Sequence, residues 1–261
     1  MGRKVIVAVM LAVALMFASC SAVISAFAAS DNQGPPDIQQ RIFIHYEKGR
    51  QPPMPPDAEA AKAGATGYYK LIGAKWKTFP VPLEVNPSNP SGLTTDFVLT
   101  AIGTAAEEWD SGAYSQSEGI AWYGVTPDLF ADTIGKTDKG YNDLAWTSDK
   151  MDGKNTIVWG NYPTSGVIAV TILWYNRATK TILEFDIVFD TDYTWGDATT
   201  TANVMDLQNI ATHELGHGAG LDDVYNAVAY RETMYGYSAL GEIIKRDLYI
   251  GDKAGITKLY G

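Results

Sequence analysis

The order of helical and strand patterns along the chain predicts an α+β fold. From about residue 67 onward, stretches with helically spaced apolar residues and stretches of alternating apolar residues follow one another without a repeated strand–helix–strand unit. Apolar residues make up 46% of the chain and charged residues 19%, which is typical of a globular protein and not of a disordered one. With 261 residues, the chain can form one large domain or two small ones, and either would bury a full core.

The first 28 residues have the pattern of an export signal. Two basic residues precede the apolar run Val5–Phe17, and Ala26–Ala28 forms a small-x-small cleavage site. Two alternatives stay open, because Val5–Ala28 is long enough to remain as a membrane anchor and Phe17–Cys20 resembles a lipoprotein signal. All three interpretations place the remaining chain outside the cytoplasm. We therefore expect a secreted, extracellular protein, associated with a membrane only if this segment is retained.

Residues 29–66 have the composition of a leader and linker, and a propeptide is one interpretation of them. Two proline clusters break regular structure there, and between them Arg41–Tyr46 alternates weakly enough to suggest a single strand. That strand would belong either to a propeptide or to an arm packed on the domain. We place the folded domain at residues 67–261, which leaves His45 outside it as a surface or strand residue and not as a ligand.

The first half of the domain combines strands with one helix. The pattern predicts a strand region at Tyr69–Pro90 and a helix that is capped by Thr94 or Thr95 and runs to Trp109. Three strand patterns follow a stretch that is rich in Gly, Asp and Thr, at Thr156–Trp159, Val167–Tyr175 and Thr181–Phe189. In the last of these, apolar residues alternate with acidic ones, which predicts a strand with one buried face.

The stretch Thr212–Asp223 carries the chemistry. Apolar residues upstream of it recur at helical spacing and predict a helix over about residues 202–218, with His213 and His217 on one face, one turn apart. Two imidazoles at that spacing can bind one tetrahedral Zn²⁺. Glu214, beside the first imidazole, can reach a water on the metal and act as a general base.

Glycines after the second histidine predict where the third ligand lies. Gly216, Gly218 and Gly220 end the helix, because glycine is a poor residue in a helix interior and a good one at its C-terminal end. A turn at Gly220 would bring the chain back under the metal and place Asp223, and not Asp222, as the third protein ligand. The chain has only three histidines, so two of them would rarely fall at this spacing by accident.

These residues resemble the metzincin clan of zinc peptidases. The clan's HExxHxxGxxD motif, in the variant with an aspartate as third ligand, is matched by His213, Glu214, His217, Gly220 and Asp223. Glu232–Tyr237 resembles the clan's Met-turn, with Met234 beneath the zinc. Gly251–Gly261 is similar to the last helix of matrixins, and Leu183–Asp190 with Trp195 to the stretch before their zinc helix.

The resemblance implies a zincin-like catalytic domain and a zinc-dependent endopeptidase. A twisted mixed sheet would carry the zinc helix, and a small C-terminal subdomain would follow Gly220. A protein or peptide substrate would lie extended along an edge strand of the sheet, held by main-chain hydrogen bonds. Zinc would activate a water for hydrolysis, with Glu214 as the base. Two alternatives are an exported binding or adhesion protein on an inherited protease fold, and a zinc hydrolase with a non-peptide substrate.

The chain also departs from the matrixin pattern. Matrixins usually have a third histidine where Asp223 stands, and their propeptides usually carry a cysteine that blocks the zinc. This chain has no cysteine after Cys20, so latency must work otherwise. Tyr235 or Tyr237 could hydrogen-bond the oxyanion formed during hydrolysis, although packing is the more ordinary role of a tyrosine.

The charge of the chain bears on its partners. A net charge of −10 argues against a nucleic-acid partner, because phosphate binding needs clustered Lys and Arg. Acidity is compatible with Ca²⁺, which prefers carboxylate oxygens. A group of nearby acids could supply such oxygens or simply form a solvated, turn-rich face, namely Asp186, Asp190, Asp192 and Asp197.

Overall fold

A computed structural model describes residues 37–50, 61–63, 67–110 and 128–261. Its strands are β1 (Ile38–Glu47), β2 (Ala61–Ala63), β3 (Gly67–Leu71), β4 (Leu83–Val85), β5 (Gly135–Lys136), β6 (Asn155–Gly160), β7 (Val167–Asn176), β8 (Thr181–Asp190), β9 (Trp195–Gly196), β10 (Met205–Asp206), β11 (Leu221–Asp222) and β12 (Tyr237–Ser238). The helices are α1 (Thr95–Asp110), α2 (Leu207–Ala219) and α3 (Ile250–Tyr260).

A seven-stranded mixed sheet forms the centre of the fold, in the order β12-β1-β7-β8-β6-β4-β5. β7 is antiparallel to both of its neighbours, β1 and β8, whereas β8, β6, β4 and β5 run parallel to one another. A smaller antiparallel sheet has the order β11-β3-β2. Separate helices packed on a mixed sheet confirm the predicted α+β class.

The first strand corrects the domain boundary expected from sequence. β1 pairs with β7 from Ile38↔Asn176 to Tyr46↔Val167, with an irregularity after His45. Asp37–Gly261 is one compact unit, so the boundary at residue 67 was wrong. The proline clusters misled because they flank the strand and do not interrupt it. The predicted export signal lies outside the described residues, and none of the helices in the described part is long and apolar enough to cross a membrane.

The two faces of β8 are both buried, so the expectation of one buried face was wrong. Phe185, Ile187 and Phe189 belong to the apolar cluster that includes the helices on one side, and a second apolar cluster that includes Leu144 and Trp174 covers the other side. The acidic side chains on that second side accept hydrogen bonds from nearby backbone N–H groups. Glu184 accepts from Asp152 and Gly153, and Asp186 accepts from Ala145 and Thr156, while Asp190 accepts from Tyr162 and Asp192.

Burial and backbone hydrogen bonds also bear on whether the nearby acids Asp186, Asp190, Asp192 and Asp197 form a solvated face or a calcium site. Asp186 and Asp190 do not form a solvated face, because both are buried and bonded to loop amides. Asp197 pairs with Arg246 at 2.7 Å. In the part of the chain that the structure describes, side chains close enough to hold a metal ion occur only around the zinc motif. Calcium binding therefore stays a prediction.

Helices α1 and α2 pack against each other on one face of the sheet. Thr94 caps α1, since Phe97 N donates to Thr94 Oγ1 at 3.2 Å. α2 begins at Leu207, later than the expected residue 202, because Asp206 pairs in β10 and caps the helix by accepting from Asn209 N at 2.9 Å. This packing places the middle of α2 against β7 and β1, where the site forms.

Candidate metal and catalytic site

Helix α2 and the turn after it bring the predicted ligands together. His213 and His217 lie one turn apart, with ring centroids 4.8 Å from each other. Gly220 ends the helix at a φ of +110°, a left-handed conformation that favours glycine, and its N–H donates to Gly216 O and His217 O. The chain then returns so that Asp223 Oδ1 lies 3.2 Å from His213 Nε2 and 3.6 Å from His217 Nε2.

The second nitrogen of each imidazole determines which nitrogen faces the site. His213 Nδ1 donates to Thr233 O at 2.7 Å, and His217 Nδ1 donates to Leu221 O at 3.0 Å. Both Nε2 atoms therefore carry lone pairs, as metal ligands must. Burial lowers the pKa of His213 to about 3 and that of His217 to about 4, so both rings are neutral at physiological pH.

The donor set fits a bound cation. His213 Nε2 and Asp223 Oδ1 are buried without a hydrogen-bond partner, although buried polar atoms normally have one. A neutral imidazole lone pair and a carboxylate oxygen 3.2 Å apart repel each other unless a positive ion lies between them. Two imidazoles and one carboxylate form a three-ligand set of the kind found at catalytic zinc sites.

The two neighbouring aspartates have different surroundings. Asp222 Oδ2 pairs with Arg41 at 2.8 Å and with Lys70 at 3.0 Å, away from the histidines. Asp223 Oδ2 accepts from Tyr225 Oη at 2.9 Å, which leaves its Oδ1 toward the two imidazoles. Tyr225 was not expected from the sequence. Its hydrogen bond orients the carboxylate as an outer-shell partner does.

Met234 lies directly beneath α2. It is fully buried, and its backbone O accepts from Val224 N at 2.8 Å. A Cβ placed on Gly216 would come within 2.2 Å of Met234 Sδ, so the turn and the helix approach each other more closely than any side chain at position 216 allows. The carboxylate of Asp252 holds the turn from the other side by accepting from Met234 N at 3.0 Å.

Glu214 has two partners that the sequence did not reveal. Thr171 Oγ1 on β7 donates to Glu214 Oε2 at 2.6 Å, and His45 Nδ1 on β1 lies 3.1 Å from Glu214 Oε1. His45 is buried inside the domain, so its expected place outside the domain was wrong. The residues are far from Glu214 in sequence. The weak alternation of β1 was the only signal, because it places Phe43 and His45 on one face of a strand.

Burial changes the protonation of this group. It raises the pKa of Glu214 well above its usual range and lowers the pKa of His45 well below, with the nearby His213 and Lys245 adding to the second effect. A neutral His45 that donates from Nδ1 to Glu214 can accept at Nε2 from Ser238 Oγ, which lies 3.0 Å away. Tyr235 and Tyr237 are mostly buried and pack edge to face, with ring centroids 5.5 Å apart.

Comparison with known families agrees with this geometry. The sequence model of the Matrixin family matches residues 170–261, which include most of β7 and everything after it. Residues 170–261 are similar to matrixins. No curated protein sequence matches the chain. A matrixin-like domain supports a zinc metallopeptidase type of function, for which the substrates are proteins or peptides, and its helices and mixed sheet are those expected of a metzincin.

The matched region contains all the ligands predicted from sequence and the segment predicted as the Met-turn. His45 lies outside the match, and Thr171 lies just inside it. The structure brings His213, His217 and Asp223 within 4.8 Å of one another, and it also groups His45 with His213 and Glu214 at that spacing. Their roles as ligands and base stay predictions.

Proposed function

We propose that the protein is an exported, zinc-dependent endopeptidase. The observation that carries the proposal is the pair of buried, unpartnered atoms, His213 Nε2 and Asp223 Oδ1, beside a carboxyl group that can accept a proton. His213, His217 and Asp223 would hold the zinc. When bound, zinc supplies a Lewis acid that polarises the scissile carbonyl and acidifies water.

The chain's own residues supply the proton transfers. Glu214 takes a proton from the attacking water and then delivers it to the leaving amine. A raised pKa makes the carboxylate a stronger base for the first step, and the proton that it then holds is the one delivered to the amine. Thr171 keeps the carboxyl pointed at the site through its hydrogen bond to Oε2. Water attacks directly, so no covalent intermediate with the protein forms.

Metal content and proteolysis test the proposal together. Because β1 covers the site, the assay uses the intact chain and the His45→Ala chain, each with and without Glu214→Gln. We expect close to one zinc per chain by elemental analysis. We also expect cleavage of casein that a chelator stops and that Glu214→Gln abolishes in the same background. Absence of zinc, or absence of Glu214-dependent cleavage in both backgrounds, would reject the proposal.

Export is the second part of the proposal, and it rests on the N-terminal sequence. A positive end, an apolar core and Ala26–Ala28 lead us to expect a natural N-terminus near Ala29 or Ser30. N-terminal sequencing of the protein purified from its source cells is the measurement. Retention of Met1 on a membrane-bound form, or a lipid on Cys20, would replace cleavage with one of the two anchored forms.

A further inference from the structure

Strand β1 lies in a groove between β7 and a short strand that follows the Met-turn. It is antiparallel to β7 and, at its C-terminal end, parallel to β12, with Tyr46 opposite Tyr237 and Glu47 opposite Ser238. Lys48 N continues this pairing by donating to Ser238 O at 2.8 Å. An extended segment with main-chain partners on both sides, next to a hydrolytic site, occupies the place of a peptide substrate.

The buried side chains of β1 are confined to the site. Of its ten residues only two, Phe43 and His45, are fully buried. Phe43 stacks on His217, with ring centroids 4.0 Å apart and an interplanar angle of 10°. The ring centroids of His45 and His213 are 3.9 Å apart. β7 and β8, by contrast, are buried along most of their length. β1 therefore places its two buried side chains over the candidate site, while its main chain pairs with β7 and Ile38, Ile44 and Tyr46 pack on the opposite face of the sheet.

β1 covers the groups that hydrolysis would use. His45 Nδ1 lies 3.1 Å from Glu214 Oε1 and so takes the place beside this oxygen that an attacking water would need. His213, Glu214 and His217 are buried beneath this strand, which leaves no room for a second extended chain. Removing β1 would expose β7 as an edge strand and free Oε1, while the pairs from β7 through β8 and β6 to β4 stay in place.

We propose that Ile38–Glu47 is a built-in occupant of the substrate groove, which keeps the enzyme latent until the strand leaves, with Phe43 and His45 seated over the two histidine ligands. The inference rests on the proposed function, since it names the regulation of that same site.

A peptide supplied in trans tests the groove without any need for catalysis. The probe is a fluorescent peptide with the sequence Asp37–Arg50, and the receptor is the full chain carrying Phe43→Ala and His45→Ala, treated with EDTA so that nothing is hydrolysed. We expect the peptide to bind this chain at least tenfold more tightly than a peptide with the same two alanines. The unaltered chain and an Ile44→Ala chain should bind neither peptide, because Ile44 packs against the cluster on the opposite face of the sheet.

Fluorescence anisotropy measures this binding, and a cooperative thermal transition shows that each chain is folded. A folded double variant that does not bind the peptide would overturn the proposal, as would equal binding by the unaltered chain. If the double variant does not fold, hydrogen exchange on the unaltered chain decides. Latency requires β1 amides to exchange at least tenfold faster than those of β6 and β8, whereas equal exchange would make β1 a permanent strand of the fold.

Casein hydrolysis by the zinc-loaded chains separates this inference from the proposed function. We expect the double variant to cleave casein at least tenfold faster than the unaltered chain, and the Asp37–Arg50 peptide to inhibit it. Peptide binding without hydrolysis would reject the proposed function and leave the groove assignment intact. Equal hydrolysis by both chains would reject latency and leave the proposed function intact.

Discussion

At the scale of single residues, Glu214 is the group on which the proposed reaction depends. Its carboxyl is fully buried, and both of its oxygens have partners on strands and not on its own helix. Contacts with two strands therefore hold the Glu214 side chain in one orientation. Burial raises the pKa of this carboxyl, whereas the hydrogen bond from Thr171 acts in the opposite direction.

Glu214→Gln tests the general base. The amide cannot accept a proton from water, so hydrolysis should fall at least about a hundredfold, the usual contribution of acid–base catalysis. Zinc should remain, because the ligands of the proposed site are His213, His217 and Asp223. Rates are measured in the His45→Ala background, with zinc content by elemental analysis. Loss of zinc would instead make Glu214 a ligand, a role that its position beside His45 and His213 also allows.

Asp223 and Asp222 form a matched pair for testing the third ligand. Asp223→Ala should lower zinc affinity sharply, because it removes the carboxylate that faces both imidazoles. Asp222→Ala should be mild and cost on the order of 1 kcal/mol of stability, since its contacts are partly exposed pairs with Arg41 and Lys70. Zinc is measured after dialysis against a weak chelator. Full zinc in Asp223→Ala with loss in Asp222→Ala would move the ligand to Asp222.

At the scale of elements, the close contact of α2 with the Met-turn explains why residue 216 is a glycine. Gly216 leaves space for Met234 Sδ and for the ring of Trp109, which would lie 2.2 Å and 2.5 Å from a Cβ. Trp109 is itself fixed because its Nε1 donates to Thr212 O at 2.8 Å. Helix, turn and α1 therefore support the ligands as one packed unit, and the methionine acts through packing and not through chemistry.

Two helical glycines provide a matched test of this packing. Gly216→Ala should destabilise the protein by about 1–3 kcal/mol and weaken zinc binding, because overpacking must push Met234 or Trp109 away. Gly103→Ala in α1 should stabilise it by about 0.5–1 kcal/mol, since its Cβ meets only Ile134 Cδ1 at an ordinary 3.5 Å. Urea unfolding of both variants is the measurement. Equal effects at the two positions would contradict the close approach.

At the scale of the whole molecule, a buried carboxyl pair joins the small sheet, the Met-turn and α3. Glu232 accepts from Tyr68 N and from Gly251 N, each at 2.9 Å, and Asp252 accepts from Thr233 N and Met234 N. Burial and the neighbouring Asp252 carboxylate raise the pKa of Glu232 to about 9. Glu232 therefore holds a proton in the folded protein at neutral pH, which it loses on unfolding.

Stability should consequently fall as pH rises. Below pH 4.5, the usual pKa of this carboxyl, both the folded and the unfolded protein bind the proton, and the contribution of Glu232 to stability is constant. Between pH 4.5 and about 9 only the folded protein binds it, so this contribution decreases as the pH rises. This group alone can lower the free energy of unfolding by up to about 1.4 kcal/mol per pH unit in that window. Other buried carboxyls with raised pKa values, such as Asp110 and Asp186, act in the same direction.

Glu232→Gln isolates the contribution of this pair. The amide cannot ionise, so the slope of stability against pH from 5 to 9 should become smaller, while one lost backbone hydrogen bond costs about 1 kcal/mol at low pH. Urea unfolding at several pH values gives the slopes. An unchanged slope would show that Glu232 is already ionised in the folded protein.

Local pattern was enough to predict much of the fold and the grouping of the candidate ligands. Helical spacing and a glycine stop depend on residues near one another in sequence, so α1, α2 and the grouping of His213, His217 and Asp223 followed from the sequence. The start of α2 was placed too early, because Asp206 enters a strand pair before it caps the helix.

The sequence by itself determined the α+β class, the helix that carries the two imidazoles and the candidate ligand set, because each depends on the periodicity of a short segment. Only the tertiary structure decided that β1 belongs to the sheet, that β8 is covered on both faces, and that Glu214 bonds to Thr171 and His45. Strand pairing joins residues that are far apart in sequence, and the local sequence of a strand does not indicate which other strand it pairs with. For that reason the closure of the site by β1 was visible only once the strands were paired.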